Sequence, residues 1–352
     1  MKKLTFLGKN TMTDTKDTLH DSIVYDAVKT TGIFCHPSCS ARTPKPENVS
    51  FYDSTRKALQ NGFRPCKVCR PMEKPDRTPG YITSLIKELH QNPYLKIKDD
   101  DLKGRAVKPG QVENWFKKYH NMTFHMYQRM LRINFAFKRL KKSEAATTAA
   151  LVNNSKSLSD FNKSYRAVFG QPPTNANEKT VLNIVRFSTP VGPMFSCAGN
   201  KGICLLDFTD CRTLETDFQI LSRRLNAVIV SGKNSHLDHV QSELQEYFAG
   251  KRKSFTVPLH TPGTDFQKAV WKILQDIPYG QTRSYKQQAI ALGNPKAIRA
   301  VASANASNPI SIIIPCHRVI GSDGSLIGYG GGLHRKKWLL DFEKSSEFDI
   351  FK

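Results

Sequence analysis

Apolar residues recur at helical spacing in Tyr81-Ile82-Thr83-Ser84-Leu85-Ile86-Lys87-Glu88-Leu89, and the spacing predicts a helix. A longer basic amphipathic run extends from Met126 to Lys142, with Met130, Leu131, Ile133, Phe135, Phe137 and Leu140 as its apolar positions. Two aromatic, basic helix ends flank that run and faintly repeat each other, Asn114 to Thr123 and Asp160 to Pro172. The middle of the chain therefore reads as all helix. Further on the pattern changes. Val181 to Phe187 and Gly202 to Phe208 read as strands, and helices dominate after Thr264. Asn294-Pro295 reads as a helix start, with Asn as N-cap and Pro in the first turn. Ile312-Ile313-Ile314 is a strand-like apolar run, and Leu333, Trp338, Leu339 and Phe342 anchor a helical stretch over 333–343.

Two polar, proline-bearing stretches, Pro71 to Gly80 and Gln171 to Glu178, read as linkers. They divide the chain into segments 1–74, 75–176 and 177–352, the last splitting at about 260 into an α/β part and a helical part. The chain has 352 residues and a formal net charge of +23. Segment 1–74 carries +6, segment 75–178 carries +9 and segment 179–352 carries +8, so the excess is not one basic tail. A polyanion met by every segment explains this, as does a generally cationic soluble protein. No apolar run approaches bilayer-spanning length, and Lys2-Lys3 is not followed by a signal-like apolar stretch. The expectation is a cytoplasmic protein with reduced thiols and no membrane partner.

Eight cysteines occur, four of them in two close pairs. Cys35 and Cys39 are separated by three residues, Cys66 and Cys69 by two, with 26 residues between the pairs. Two thiolate pairs on turns suit tetrahedral zinc, either purely structural or reactive. Cys197, Cys204 and Cys211 match no complete ligand set and read as packed thiols.

The residues around the pairs, Thr30-Thr31-Gly32-Ile33-Phe34-Cys35-His36-Pro37-Ser38-Cys39, Glu47-Asn48-Val49-Ser50-Phe51-Tyr52 and Gly62-Phe63-Arg64-Pro65-Cys66-Lys67-Val68-Cys69, closely resemble the metal-binding domain of the bacterial Ada family. The resemblance implies one zinc ion held by all four cysteines, with Cys35 accepting a methyl group from a backbone methylphosphotriester. The family carries Arg where this chain has His36, which bears on a phosphate contact and not on the ligands. Four thiolates around Zn(II) carry a net charge of −2, and methylating one leaves −1, so phosphate is repelled less.

The helical middle resembles the AraC-type DNA-binding domain, with two helix-turn-helix units at about 95–119 and 145–169 and the closing turn Gly170-Gln171-Pro172-Pro173. Lys108, Gln111 and Asn114 in the first, and Ser157, Ser159, Asn162 and Lys163 in the second, face DNA or form solvated helix faces. Trp115, Phe116, Phe135 and Phe137 read as core.

Pro315-Cys316-His317-Arg318 is the strongest signal in the chain. Its context resembles the O6-alkylguanine-DNA alkyltransferase family over about eighty residues, including Thr264 to Trp271, Pro278 to Tyr285, Asn294 to Val301, Asn308-Pro309-Ile310, Gly328 to Leu333 and Lys336 to Glu343. Displacement at a saturated carbon needs a soft nucleophile, which Cys316 supplies as thiolate. His317 acts as base through a bridging water, and Glu343 fixes the imidazole tautomer. The resemblance implies that Asn308 hydrogen-bonds within the active-site turn. It also implies that Tyr285 protonates the leaving base and helps flip it, that Arg299 fills the gap, and that Tyr329 closes over the base.

With all three resemblances the chain is similar to the Ada family of bifunctional adaptive-response activators and DNA alkyltransferases. The implied fold is multidomain α+β: a small zinc-bound domain, an all-helical AraC-type double helix-turn-helix domain, and an alkyltransferase domain with an α/β part and a helical part containing a helix-turn-helix. The implied activity is irreversible, single-turnover methyl transfer from O6-methylguanine and O4-methylthymine to Cys316 and from phosphotriesters to Cys35. Cys35 methylation would switch on transcription by a monomer acting on double-stranded DNA with RNA polymerase. A repair protein without regulatory output is the alternative.

Overall fold

The computed structural model describes residues 24–41, 44–74, 77–145, 155–170 and 179–348. They form two compact units, Met1–Ala136 and Phe137–Lys352.

The first unit opens with a four-stranded sheet in the order β3-β1-β2-β4. Its strands are β1 (Tyr25–Val28), β2 (Ile33–Cys35), β3 (Val49–Tyr52) and β4 (Arg64–Pro65). The β1–β2 hairpin closes where Gly32, at φ +67°, donates its N–H to Val28 O at 2.8 Å. Helix α1 (Thr55–Gln60) starts at Ser54, whose hydroxyl accepts from Lys57 N at 3.3 Å. Four helices follow: α2 (Gly80–Gln91), α3 (Asp99–Gly104), α4 (Pro109–His120) and α5 (Phe124–Ala145). Asp99, Asp100 and Asp101 fill the first turn of α3, where the helix dipole favours negative charge. Pro109 opens α4, and Asn121 closes it in the left-handed conformation.

The sheet and the helices share one core. Phe34, Leu59 and Met72 pack in the same cluster as Ile82, Leu85, Phe116, Tyr127 and Met130. The buried His120 adds a polar tie, with Nδ1 2.9 Å from Thr55 Oγ1 and Nε2 3.0 Å from Met72 O. Only an Nε2–H can bond the carbonyl, so Nδ1 accepts from Thr55. Trp115 and Phe116 are buried in this core, and Phe137 is buried at the start of the second unit, whereas Phe135 is half-buried.

In the second unit, α6 (Ser155–Phe169) precedes a sheet in the order β7-β6-β5-β8. The strands are β5 (Thr180–Phe187), β6 (Met194–Gly199), β7 (Gly202–Phe208) and β8 (Ala227–Ser231). β5 and β7 match the expected strands. β6 is antiparallel to both β5 and β7, and β8 runs parallel to β5. Helices α7 (Leu214–Arg224) and α8 (Ser235–Phe248) complete this α/β part. Tyr165 of α6 closes the outer edge of β8, donating to Ile229 O at 3.0 Å and accepting from Ile229 N at 2.8 Å.

The remaining helices are α9 (Asp265–Gln275), α10 (Tyr285–Ala291), α11 (Ile298–Ala306) and α12 (Leu333–Phe348). Two-residue strands β9 (Arg283–Ser284) and β10 (Val319–Ile320) pair in parallel. Capping boxes start α9 (Thr264 with Gln267) and α10 (Ser284 with Gln287). Gln288 and Asn305 exchange amide hydrogen bonds of 3.1 and 2.7 Å between α10 and α11.

Three local expectations need correction. Asn294-Pro295 does not start a helix: Ala297 N bonds Asn294 O at 3.0 Å, and α11 begins at Ile298. Gly293, at φ +76°, ends α10, and this extra turn separates the two helices. Ile312 to Ile314 form no strand but a buried turn; burial, not strand pairing, makes the run apolar. Leu333 is 48% exposed and is not an anchor; α12 is held by the buried Leu339 and Leu340 and by the rings of Trp338 and Phe342, which pack on Phe248, Phe342 also lying 5.6 Å from Tyr247. No described helix is long and apolar enough to cross a membrane.

Candidate active sites

The parallel pairing of β2 with β4, extended by Cys66 N to Phe34 O at 2.9 Å, brings the two cysteine pairs to one end of the first sheet. The sulfurs of Cys35, Cys39, Cys66 and Cys69 all lie within 4.8 Å of one another, with Cys39 and Cys66 4.0 Å apart. Zinc–sulfur bonds of about 2.3 Å in a tetrahedron require sulfur separations of about 3.8 Å. Backbone N–H groups point at two sulfurs, from His36 to Cys69 at 3.4 Å and from Val68 to Cys66 at 3.3 Å. The hydrogen bond to Cys69, burial and the neighbouring sulfurs push the Cys35 thiol far above its ordinary value. Four such sulfurs ionise together only around a cation, so the donor set fits zinc.

The second site surrounds Cys316. Ser311, Ile312 and Ile313 form a three-residue turn closed by Ile313 N to Ser311 O at 2.9 Å, with Ile312 at φ +74°. That conformation is strained for a β-branched residue. A second such turn, with Pro315 at φ −83° and ψ 61°, is closed by Cys316 N to Ile314 O at 2.8 Å. The two turns lead into a single 3-10 turn, Cys316–Arg318. Asn308 ties the loop together: its Nδ2 donates to Ile314 O at 2.8 Å and to Cys316 Sγ at 3.2 Å, and its Oδ1 accepts from Ile310 N at 3.0 Å. Burial pushes the Cys316 thiol up to about 11, although the Asn308 hydrogen bond and Lys336 favour the thiolate.

His317 is fully buried, with Nε2 2.9 Å from Glu343 Oε1. Glu343 also accepts from Arg318 Nε (2.8 Å), Arg318 Nη2 (2.9 Å), Tyr247 Oη (2.7 Å) and Gly280 N (3.2 Å). Burial alone would raise Glu343, but His317 and Arg318 hold it well below the usual carboxylate range. Arg318 is permanently charged, so Glu343 stays ionised when His317 is neutral. Burial lowers His317, which favours the neutral imidazole. Nε2 then carries the proton, and the buried Nδ1, which no group among the described residues engages, keeps its lone pair.

Tyr285 is half-buried, its hydroxyl 3.4 Å from Ile327 O and 3.5 Å from Gly328 O, and burial and Cys316 keep it protonated. The Tyr329 hydroxyl is turned inward and its ring lies 6.4 Å from that of His317. Arg299 is exposed on α11, whose outward face also carries the small residues Ala300 and Ser303. Lys108, the N-cap of α4, and Gln111 and Asn114 in its first turns are exposed at every third position. On α6, Lys163 is exposed and Asn162 half-buried, while the side chains of Ser157 and Ser159 lie outside the described residues.

Lys336, near Cys316, and Tyr247, beside Glu343, carry no local signal of their own for a place in the site. Lys336 is buried, with Nζ bonded to the carbonyls of Val319, Ile327 and Gly328, and burial lowers it to about 8. A lysine on a helix ordinarily reads as solvent-facing. Tyr247 reaches Glu343 from 96 residues away.

Three family models match: the metal binding domain of Ada over residues 10–72, the ribonuclease-like domain of 6-O-methylguanine DNA methyltransferase over 186–261, and its DNA binding domain over 265–345. The chain is 35% identical over 333 residues to the bifunctional transcriptional activator/DNA repair enzyme Ada of Escherichia coli, covering 91% of each chain. It is 58% identical over 157 residues to the methylated-DNA–protein-cysteine methyltransferase of Mycobacterium tuberculosis, covering 45% of this chain and 89% of the relative. A crystal structure of Mycobacterium tuberculosis OGT in complex with DNA aligns with 47% of this chain and 94% of that one, at 40% identity and a TM-score of 0.40. Similarity to a bifunctional Ada along nearly the whole length, joined to both its zinc-binding and its alkyltransferase parts, establishes that this chain belongs to the Ada family.

Proposed function

We propose that this chain is a single-turnover methylated-DNA–protein-cysteine methyltransferase with two acceptors, Cys316 and Cys35. The buried Cys316–His317–Glu343 constellation carries the reading. Nδ1 of His317 takes the Cys316 proton through a water, and Glu343 holds Nε2–H and stabilises the imidazolium. The sulfur attacks the methyl carbon of O6-methylguanine, or of O4-methylthymine. The S–C bond forms as the C–O bond breaks, and the electron pair passes to the base. Tyr285 donates a proton to the leaving base and is reprotonated from His317. The thioether that remains has no group beside it suited to cleave it, so each acceptor works once. Arg299 enters the duplex as the nucleotide flips out, and Tyr329 covers the flipped base.

Cys35, Cys39, Cys66 and Cys69 would hold one zinc ion, which when bound would keep the sulfurs as thiolates. Cys35 would take a methyl from a phosphotriester, its S–C bond forming as the methyl C–O bond breaks and the electron pair stays on the phosphodiester oxygen, and the four sulfurs would lose one negative charge. The helices α3 and α4 form the first reading unit of an AraC-type domain spanning 75–176, and α6 belongs to the second. Lys108, Gln111 and Asn114 on α4, with Ser159, Asn162 and Lys163 on α6, meet DNA. The zinc domain spans 1–74, and the alkyltransferase parts span 177–260 and 261–352. Methylated Cys35 turns the chain into an activator that contacts RNA polymerase. One chain carries both acceptors, which supports a working monomer, and free thiols support a reducing cytoplasm. Cys316→Ala is expected to abolish removal of methyl from an O6-methylguanine duplex while retaining folding and DNA binding. Substantial repair by that variant would refute the assignment.

A further inference from the structure

A carboxylate outside the Cys316–His317–Glu343 constellation touches the loop that carries the nucleophile. Asp207 lies near the end of β7 and is 4% exposed. β7 grips the loop through its backbone: Leu206 N bonds Pro309 O at 2.9 Å, and Ser311 N bonds Leu206 O at 2.7 Å. Beside these, Ser311 Oγ donates to Asp207 Oδ1 at 3.0 Å, and the same oxygen accepts from Phe208 N at 2.8 Å. Ser311 is also the first residue of the turn that holds Ile312 at φ +74°. Its carbonyl closes that turn, and the chain runs from there through Pro315 to Cys316.

A buried carboxylate this near the nucleophile is a poor choice on charge alone, since it opposes a thiolate at Cys316. An apolar side chain would fill the same space without that cost. What it could not do is accept from Ser311. Left without the bond, the Ser311 hydroxyl loses its charged acceptor at the start of a strained turn and keeps only the neutral Tyr329 hydroxyl beside it. We propose that Asp207 is a positioning residue for the Cys316 reaction, fixing Ser311 and so the turn that aims the Cys316 sulfur. The proposal rests on Cys316 being the acceptor.

The test is single-turnover transfer from an O6-methylguanine duplex by the full chain, with the modified residue mapped by peptide mass. Wild-type protein is run alongside, so failure to label its Cys316 refutes the acceptor assignment and not the positioning role. Asp207→Leu and Ser311→Ala are expected to slow transfer by about tenfold or more, since small misplacements of reacting atoms cost that much. Asp207→Asn keeps the accepting oxygen and is expected to restore the rate to within about threefold of wild type. Cys316 in all three variants should still react with iodoacetamide at least as fast as in wild type, because the thiol is present and only its aim is lost. Wild-type rates for Asp207→Leu and Ser311→Ala would overturn the proposal, as would Asp207→Asn as slow as Asp207→Leu. Ser311→Ala removes a single oxygen and carries the test if Asp207→Leu does not fold.

Discussion

At the scale of single residues, Glu343 gathers the buried hydrogen bonds of the proposed Cys316 site. One buried carboxylate accepts from His317, twice from Arg318, from Tyr247 and from Gly280. A Glu343→Gln amide presents one acceptor oxygen and leaves Arg318 buried without its counter-charge. Breaking a buried ion pair this way costs about 3–5 kcal/mol, which denaturant unfolding should register. The same change frees the His317 tautomer, and transfer to Cys316 should slow by about a hundredfold or more. A variant as stable and as fast as wild type would remove Glu343 from the mechanism. The thiol itself gives a pH prediction. Burial moves Cys316 up to about 11, so without DNA it rests protonated near neutrality. Its alkylation by iodoacetamide should keep rising with pH beyond the value of about 8.5 typical of free cysteine. A plateau by pH 9 would show a thiolate already formed and no need for His317 as base.

At the scale of elements, the four-cysteine sheet and helices α2 and α4 are packed as one body, which links metal binding to α4, the helix proposed to face DNA. Phe34, Leu59 and Met72 share a core with Leu85 and Phe116, and His120 of α4 is tied to Thr55 and Met72. A Cys66→Ala/Cys69→Ala variant should lose zinc, unfold the sheet, and lower amide hydrogen-exchange protection in α4 as well. Zinc retained by the double variant, or full protection of α4 without zinc, would contradict this. Elements with a strong local pattern are legible from sequence: α2 from its helical spacing, β5 and β7 from their apolar runs. β6 is not, because Ser196, Cys197, Ala198 and Gly199 are small, buried on both faces and show no alternation. The Ile312 turn is not legible either, since an apolar run does not distinguish a buried turn from a strand. At the sites, Cys316 and the four clustered cysteines stand in local motifs. Tyr247 and Asp207 depend on contacts with segments 96 and 104 residues away that no local spacing encodes, and Lys336 stands at a helix position that ordinarily reads as solvent-facing.

At the scale of the whole molecule, the positive charge and the two proposed acceptors join into one account: a basic chain that meets DNA would repair two kinds of lesion and record one repair as tighter binding. Methylating Cys35 in the zinc-bound cluster would take it from −2 to −1. Unit charges about 4 Å apart interact by about 4 kcal/mol at an effective dielectric of about 20. A screened phosphate farther away would feel roughly 1–3 kcal/mol, or about ten- to a hundredfold in affinity. That gain should shrink as salt rises, and methylation of Cys316 should not produce it. Equal affinity of Cys35-methylated and unmodified protein for a candidate promoter at low salt would leave a repair protein without a chemical switch. The central claim, that DNA methyl groups end on two particular cysteines, is tested most directly by intact-protein mass spectrometry after incubation with methylated DNA, followed by peptide mapping. The account predicts up to two added methyl groups per chain, one on Cys316 from the base lesion and one on Cys35 from the backbone lesion. Methyl groups on other cysteines, or unmodified protein with a repaired duplex, would contradict it.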